Sequence, residues 1–151
     1  MARFFCFFTL AFALLMSYVV AGEQSKRQIG DLQCNIARLK TVAGLAKSAS
    51  SIKSAIAAAK SDPATVAQLQ TAAQGVSSAQ AGVATIAKAL LTGQQAPASA
   101  RQQVQDGLTA ASTALGSTAA ADPAVDNAVA NASSAVEGTT AAGEQVVSDC
   151  K

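Results

Sequence analysis

Residues 62–93 read DPATVAQLQTAAQGVSSAQAGVATIAKALLTG and carry the signals of one complete helix. Asp62 is a residue type that caps helix N-termini, and Pro63 suits the first helical position. Gly93 suits the position just past a helix C-terminus. The larger aliphatic residues recur every seven positions and predict one apolar helix face: Leu69, Val76, Val83 and Leu90, with Val66, Ala73 and Ala87 at companion positions.

Similar signals divide the rest of the chain. ADPA at 121–124 nearly repeats SDPA at 61–64, and Gly93 and Pro97 interrupt the chain between them. Together with the high content of alanine, the best helix former, these signals predict helices at about 29–60, 63–92, 98–120 and 123–149. The other three segments also show three- and four-residue apolar spacings. The residues are Ile29, Leu32, Ile36, Leu39, Val42, Ile52 and Ile56 in the first segment, Val104, Leu108, Ala111 and Leu115 in the third, and Val125, Val129, Ala132, Val136 and Val146 in the fourth.

The short connections predict an all-α, alanine-rich, antiparallel up-and-down four-helix bundle. In such a bundle the first and last helices have their free ends at the same pole, so Cys34 and Cys150 are predicted to form one terminal disulfide. Cys150 falls on the apolar stripe of the fourth helix, whereas Cys34 does not fall cleanly on that of the first. An intermolecular bridge and two free thiols are the alternatives. The first helix is basic and the fourth acidic, which favours them as neighbours.

The N-terminal segment is typical of a secretory signal. Arg3 precedes an apolar run over 4–20, and small residues allow cleavage between Ala21 and Gly22. A transmembrane anchor is the alternative, since the run is close to the minimum length of a span. We therefore expect a signal peptide at 1–21, a flexible N-terminus or short propeptide at 22–28 and the helical domain at 29–151. The mature chain is expected to be extracellular, with no transmembrane segment.

A second cleavage is possible after the dibasic pair Lys26-Arg27, which precedes Gln28. Ordinary basic residues in a frayed terminus are the alternative reading. Asn131-Ala132-Ser133 is an N-glycosylation sequon, so Asn131 is a possible glycan site if its side chain points outward.

Composition excludes several kinds of chemistry. All five Phe residues and the single Tyr lie within residues 1–18, and the chain contains no His or Trp. The mature chain therefore has no imidazole for acid–base catalysis or a catalytic triad, and no zinc-ligand spacing. We expect a protein that is not an enzyme and has no catalytic residues, cofactor or metal. Few arginines and a formal net charge of only +2 also argue against nucleic acid as a partner.

Lysines recur every six or seven residues along the first helix, at Lys40, Lys47, Lys53 and Lys60. They predict either a basic face for anionic membranes or a solvated face that also pairs with the fourth helix. The main functional hypothesis is a secreted, non-catalytic protein that binds a protein receptor, a lipid or a hydrophobic surface. One alternative is a cationic, membrane-active effector released by cleavage after Arg27. Another is a structural secretion, such as a coat, glue or seminal component.

Overall fold

A computed structural model describes residues 32–150, and this part of the chain is 86% helical without strands. Its four helices form the predicted antiparallel up-and-down bundle. The helices are α1 (Leu32–Ala58), α2 (Pro63–Leu91), α3 (Ala98–Gly116) and α4 (Pro123–Asp149).

The two Asp-Pro sequences start helices as predicted. The Asp62 carboxylate accepts hydrogen bonds from the backbone N–H groups of Ala64 and Thr65, at 3.1 and 3.2 Å. Asp122 accepts one from the N–H of Ala124, at 2.8 Å. Each carboxylate therefore satisfies donors that have no partner within the first helical turn.

The ends of α2 and α3 are set by different groups. Gly93 adopts a φ of 70°, and the N–H of Gln94 reaches back to the carbonyl of Ala89, at 2.8 Å, as in a Schellman cap. Helix α3 ends at Gly116, four residues before the predicted end. There the hydroxyls of Ser117 and Thr118 both donate to the carbonyl of Ala114, at 2.9 and 2.8 Å, and close the last turn. Such local hydroxyl bonds compete with continuation of the helix.

The bundle consists of two closely packed pairs, α1 with α4 and α2 with α3, and contact between the pairs is sparser. Glycines mark both close contacts. A Cβ atom on Gly75 would lie 2.6 Å from the carbonyl oxygen of Gly107, and one on Gly44 would lie 2.5 Å from Oγ1 of Thr139. Since real Cβ atoms do not approach other atoms so closely, these helix contacts require glycine.

The core is a single aliphatic and alanine cluster to which all four helices contribute. The predicted apolar faces of α2, α3 and α4 supply Leu69, Val76, Leu108, Leu115, Val125, Val129 and Val136, all buried.

The predicted apolar face of α1 is wrong in the first half of the helix. Leu32, Ile36, Leu39 and Val42 are exposed, and the inward face consists of smaller or polar residues, Leu45 and Ile52 apart. The close contact with α4 explains this inversion, because only small side chains fit between the two backbones. The buried residues of this helix are Cys34, Ala37, Thr41, Leu45, Ser48, Ile52 and Ala55.

The predicted disulfide joins Cys34 to Cys150, whose Cα atoms lie 4.9 Å apart. Cys34 is only 3% exposed and lies on the inward face of α1. Cys34 did not fit the predicted apolar stripe of the first helix because that stripe was assigned to the wrong side of the helix. Cys34 lies on the side that is buried in the structure.

Candidate binding surface

The outward face of α1 carries the most extended set of exposed aliphatic side chains among residues 32–150. Leu32 is 72% exposed, Leu39 49% and Ile36 38%. With about 100° of rotation per residue, their spacings of four and three place these three side chains in one line, which exposed Ala43 and Ala46 continue. We call Leu32, Ile36, Leu39, Ala43 and Ala46 the outer row.

Other exposed aliphatic residues lie toward the same end of the bundle. Val42 is 37% exposed beside the outer row, and Leu91 and Val147 are 67% and 76% exposed at the C-terminal ends of α2 and α4. In an up-and-down bundle those ends lie at the pole where α1 begins, which is also the pole of the disulfide. Exposed apolar surface is therefore concentrated in the disulfide half of the molecule.

Basic residues flank the outer row. Lys40 and Lys47 are exposed and, seven residues apart, lie almost in line on one side. Lys53 follows six residues later, which places it about 120° round the helix, on the opposite side. The prediction of one basic side formed by four lysines therefore needs correction: the lysines of α1 lie on both sides of the row, and Lys60 lies beyond the helix end at Ala58.

The residues that line a groove between α1 and α4 show which side of the outer row lies next to α4. It is lined by Lys47, Ser50, Ser51 and Ser54 of α1 and by Ala128, Asn131 and Ser134 of α4. Lys40 and Lys47 thus border α4. Asn131 is exposed in this groove, so its side chain points outward, as a glycan at this position requires.

Three of the four acidic residues of α4 are turned away from this groove. Asp126, Glu137 and Glu144 are separated by eleven and seven residues, so they share one line on the helix. That line lies about 120–140° from Asn131, on the side of α4 that does not face α1. Asp149, the last residue of α4, lies instead in line with Asn131, on the α1 side. Helices α1 and α4 are neighbours as predicted, but small residues make their contact, and the acidic line does not face the lysines.

Arg38 is the remaining basic residue of α1. Its side chain is half-buried, and desolvation lowers the pKa of its guanidinium below the ordinary value.

A second groove lies between α2 and α3. It is lined by uncharged side chains, most of them small: Gln68, Thr71, Ala110, Thr113, Ala114 and Ser117. Within residues 32–150, every buried side-chain nitrogen or oxygen has a hydrogen-bond partner, so neither groove contains a buried polar group that lacks one.

Several predicted sites fall outside the described residues. The signal cleavage position at Ala21 and Gly22 and the dibasic pair Lys26-Arg27 both precede residue 32, and they stay predictions. In the described part of the chain, no group of three or more His, Cys, Asp or Glu side chains is placed to hold a metal ion. None of the helices α1 to α4 is long and apolar enough to span a bilayer.

A comparison of the chain with protein-family models, with curated proteins and with solved structures finds no match. Functional inference therefore depends on the surface itself. Sequence periodicity assigned Leu32, Ile36 and Leu39 of the outer row to the core. The signal that pointed elsewhere was Cys34, which lies on the opposite face of the same helix.

Proposed function

We propose that this is a secreted, non-catalytic protein that binds an apolar interface, either a lipid surface or another hydrophobic surface, through the outer row of α1. The observation that carries the proposal is the outward direction of Leu32, Ile36 and Leu39 on a helix whose buried face is complete without them. The row can contact a surface while the bundle stays folded.

The size of the row suits reversible adsorption. Full burial of a leucine or isoleucine side chain contributes about 1.5–3 kcal/mol. Because Ile36 and Leu39 are already partly covered, the row offers on the order of a few kcal/mol. This contribution favours reversible attachment to an extended apolar surface.

Adsorption to octyl-coated silica tests the proposal. The mature protein, residues 22–151, is compared with the variant Leu32→Ser/Ile36→Ser/Leu39→Ser, and bound protein is measured by peptide absorbance at about 214 nm because the mature chain lacks aromatic residues. The variant Leu91→Ser/Val147→Ser is the matched control, since it removes exposed aliphatic residues from the ends of α2 and α4. Circular dichroism establishes equal helix content.

We expect the outer-row variant to lose at least tenfold in partitioning and the control to change less than threefold. Equal losses in the two variants would assign adsorption to general hydrophobicity. Adsorption of the outer-row variant at the level of the parent protein would contradict the proposal.

A further inference from the structure

We infer that the outer row and the lysines beside it form a docking surface for an anionic lipid leaflet. The inference rests on the proposed function, because it assigns a lipid class to the same face of α1. It depends on an additional observation, the position of the charges around the row.

The charge of α1 has one sign. The helix contains Arg38, Lys40, Lys47 and Lys53 and no acidic residue. An anionic leaflet attracts basic groups close to its surface, and each lysine strengthens binding by about fivefold at moderate ionic strength. The charge of the helix is therefore complementary to such a leaflet.

The lysines are also placed correctly for a helix that lies in an interface. Lys40 and Lys47 lie on one side of the outer row and Lys53 on the other, so a surface that contacts the row approaches both flanks. Lysine stems can lie along an apolar boundary while the ammonium groups stay among the headgroups. The row then enters the boundary between headgroups and acyl chains with basic groups at its sides.

Three of the four acidic residues of α4 do not oppose this contact. Asp126, Glu137 and Glu144 share a line on the side of α4 turned away from α1. Their carboxylates therefore do not border the outer row. Asp149, half-buried at the end of α4, is the one acidic residue of this helix on the α1 side.

A second copy of the chain fits this face less well than a lipid leaflet. If two outer rows packed against each other, the lysines at the flanks of both copies would come together, and like charges in close contact disfavour association. The absence of Trp and Tyr from the mature chain removes the usual interfacial anchors. We therefore expect shallow, reversible and salt-sensitive docking.

Vesicle sedimentation tests the inference. The mature protein is mixed with vesicles of phosphatidylcholine alone or of phosphatidylcholine with about a quarter phosphatidylglycerol, at low and at physiological ionic strength. The charge variant is Lys40→Gln/Lys47→Gln. Its matched control is Lys88→Gln/Arg101→Gln, which removes the same charge from exposed positions on α2 and α3.

We expect the parent protein to prefer anionic vesicles by at least tenfold, and added salt to weaken this preference. Lys40→Gln/Lys47→Gln should lose at least tenfold on anionic vesicles, while Lys88→Gln/Arg101→Gln changes less than threefold. Asn131→Gln is included if the preparation carries a glycan, because Asn131 borders Lys47 in the groove.

Failure of this inference is distinguishable from failure of the proposed function. Equal losses in the two charge variants, or no preference for anionic vesicles, would overturn the inference, whereas adsorption to octyl-coated silica would still support the proposed function. A dimer in sedimentation velocity that is abolished by Leu32→Ser/Ile36→Ser/Leu39→Ser, without any vesicle preference, would assign the face to a second copy. Anionic-vesicle binding that is unchanged by the same triple substitution would show that the row takes no part.

Discussion

Gly75 and Gly107 face each other across the contact between α2 and α3, each against the other's backbone carbonyl. A Cβ on Gly75 would lie 2.6 Å from the oxygen of Gly107, and a Cβ on Gly107 would lie 2.5 Å from the oxygen of Gly75. The two helices therefore pack backbone against backbone at this point. Glycine is ordinarily a poor residue for a helix interior, and here its missing side chain is what permits the contact.

Gly75→Ala and Gly107→Ala should each lower the free energy of unfolding by about 1–3 kcal/mol. Alanine favours the helix, but the added methyl group forces the two backbones apart, and overpacking of this kind costs more than the propensity gain. Gly138→Ala is the matched control, because nothing lies within 4 Å of a Cβ at that exposed position of α4. It should raise the free energy of unfolding by about 0.5–1 kcal/mol. Urea unfolding followed by circular dichroism at about 222 nm measures the free energy of unfolding of each variant. The prediction would be contradicted if Gly138→Ala changed this free energy in the same direction as Gly75→Ala and Gly107→Ala.

A buried hydrogen bond connects α1 to α4. The hydroxyl of Thr139 donates to the carbonyl of Ala135 at 2.7 Å, so Ser48, 3.1 Å from Oγ1 of Thr139, acts as donor to it. Both side chains are fully buried. Thr139→Val leaves the Ser48 hydroxyl without this acceptor and should cost about 1–3 kcal/mol.

A double-mutant cycle with Ser48→Ala and Thr139→Val should give a coupling energy of about 0.5–1.5 kcal/mol. Any packing cost of the valine methyl against Gly44 is present in both the single and the double variant and therefore cancels. Additive effects of the two substitutions in urea unfolding would show that the hydroxyl contact contributes nothing measurable.

The disulfide should supply a large share of the stability. Cys34 and Cys150 are 116 residues apart, and closing a loop of this size stabilises a fold by on the order of 4–5 kcal/mol. We expect Cys150→Ser to lower Tm by more than about 10 °C. Thermal melts of the parent protein with and without reductant measure the same effect. Cys34→Ser/Cys150→Ser is the control, since reductant should leave its melt unchanged, and a parent melt that is insensitive to reduction would refute the prediction.

Acid should weaken the start of α2. The Thr65 hydroxyl, 2.7 Å from the Asp62 carboxylate, and the backbone N–H groups of Thr65 and Ala64 hold the pKa of Asp62 below its ordinary value of 3.8. A lowered pKa in the folded state gives stability that is fully present above the ordinary value and is lost as pH falls through the folded-state value. We therefore expect the stability of the parent protein to fall as pH drops below about 4.

Asp62→Asn tests this pH dependence, because asparagine caps a helix without titrating over this range. Its urea midpoint should depend less on pH than that of the parent between about pH 5 and 2.5. Thr65→Val, which removes the hydroxyl that donates to the Asp62 carboxylate, should also make the urea midpoint less dependent on pH. Parallel curves for the parent and Asp62→Asn would contradict the assignment.

The fold could be predicted largely because its signals are local. Asp62, Asp122 and Gly93 act within a few residues of their own positions, and Leu69 and Val76 of α2 are buried in the core as their heptad spacing predicts. The end of α3 was missed because the Ser117 and Thr118 hydroxyls close the helix by competing for a carbonyl, which apolar periodicity does not report.

The candidate surface could not be predicted because it depends on how closely two helices approach. Apolar periodicity assigns large side chains to the core, and it assigned Leu32, Ile36 and Leu39 there. The close fit of Gly44 against Thr139 leaves room only for small residues on the inner side of α1. Helix spacing is a tertiary property, and the position of Cys34 was the one local sign of it.

The disulfide also determines how the molecule responds to tension. Residues 35–149 lie inside the covalent loop closed by Cys34 and Cys150. A force applied between the chain before Cys34 and the chain after Cys150 therefore passes through the sulfur–sulfur bond and does not extend the loop between them. The bundle would therefore keep its shape under such a force, although its core contains few large aliphatic side chains, because the covalent bond carries the load.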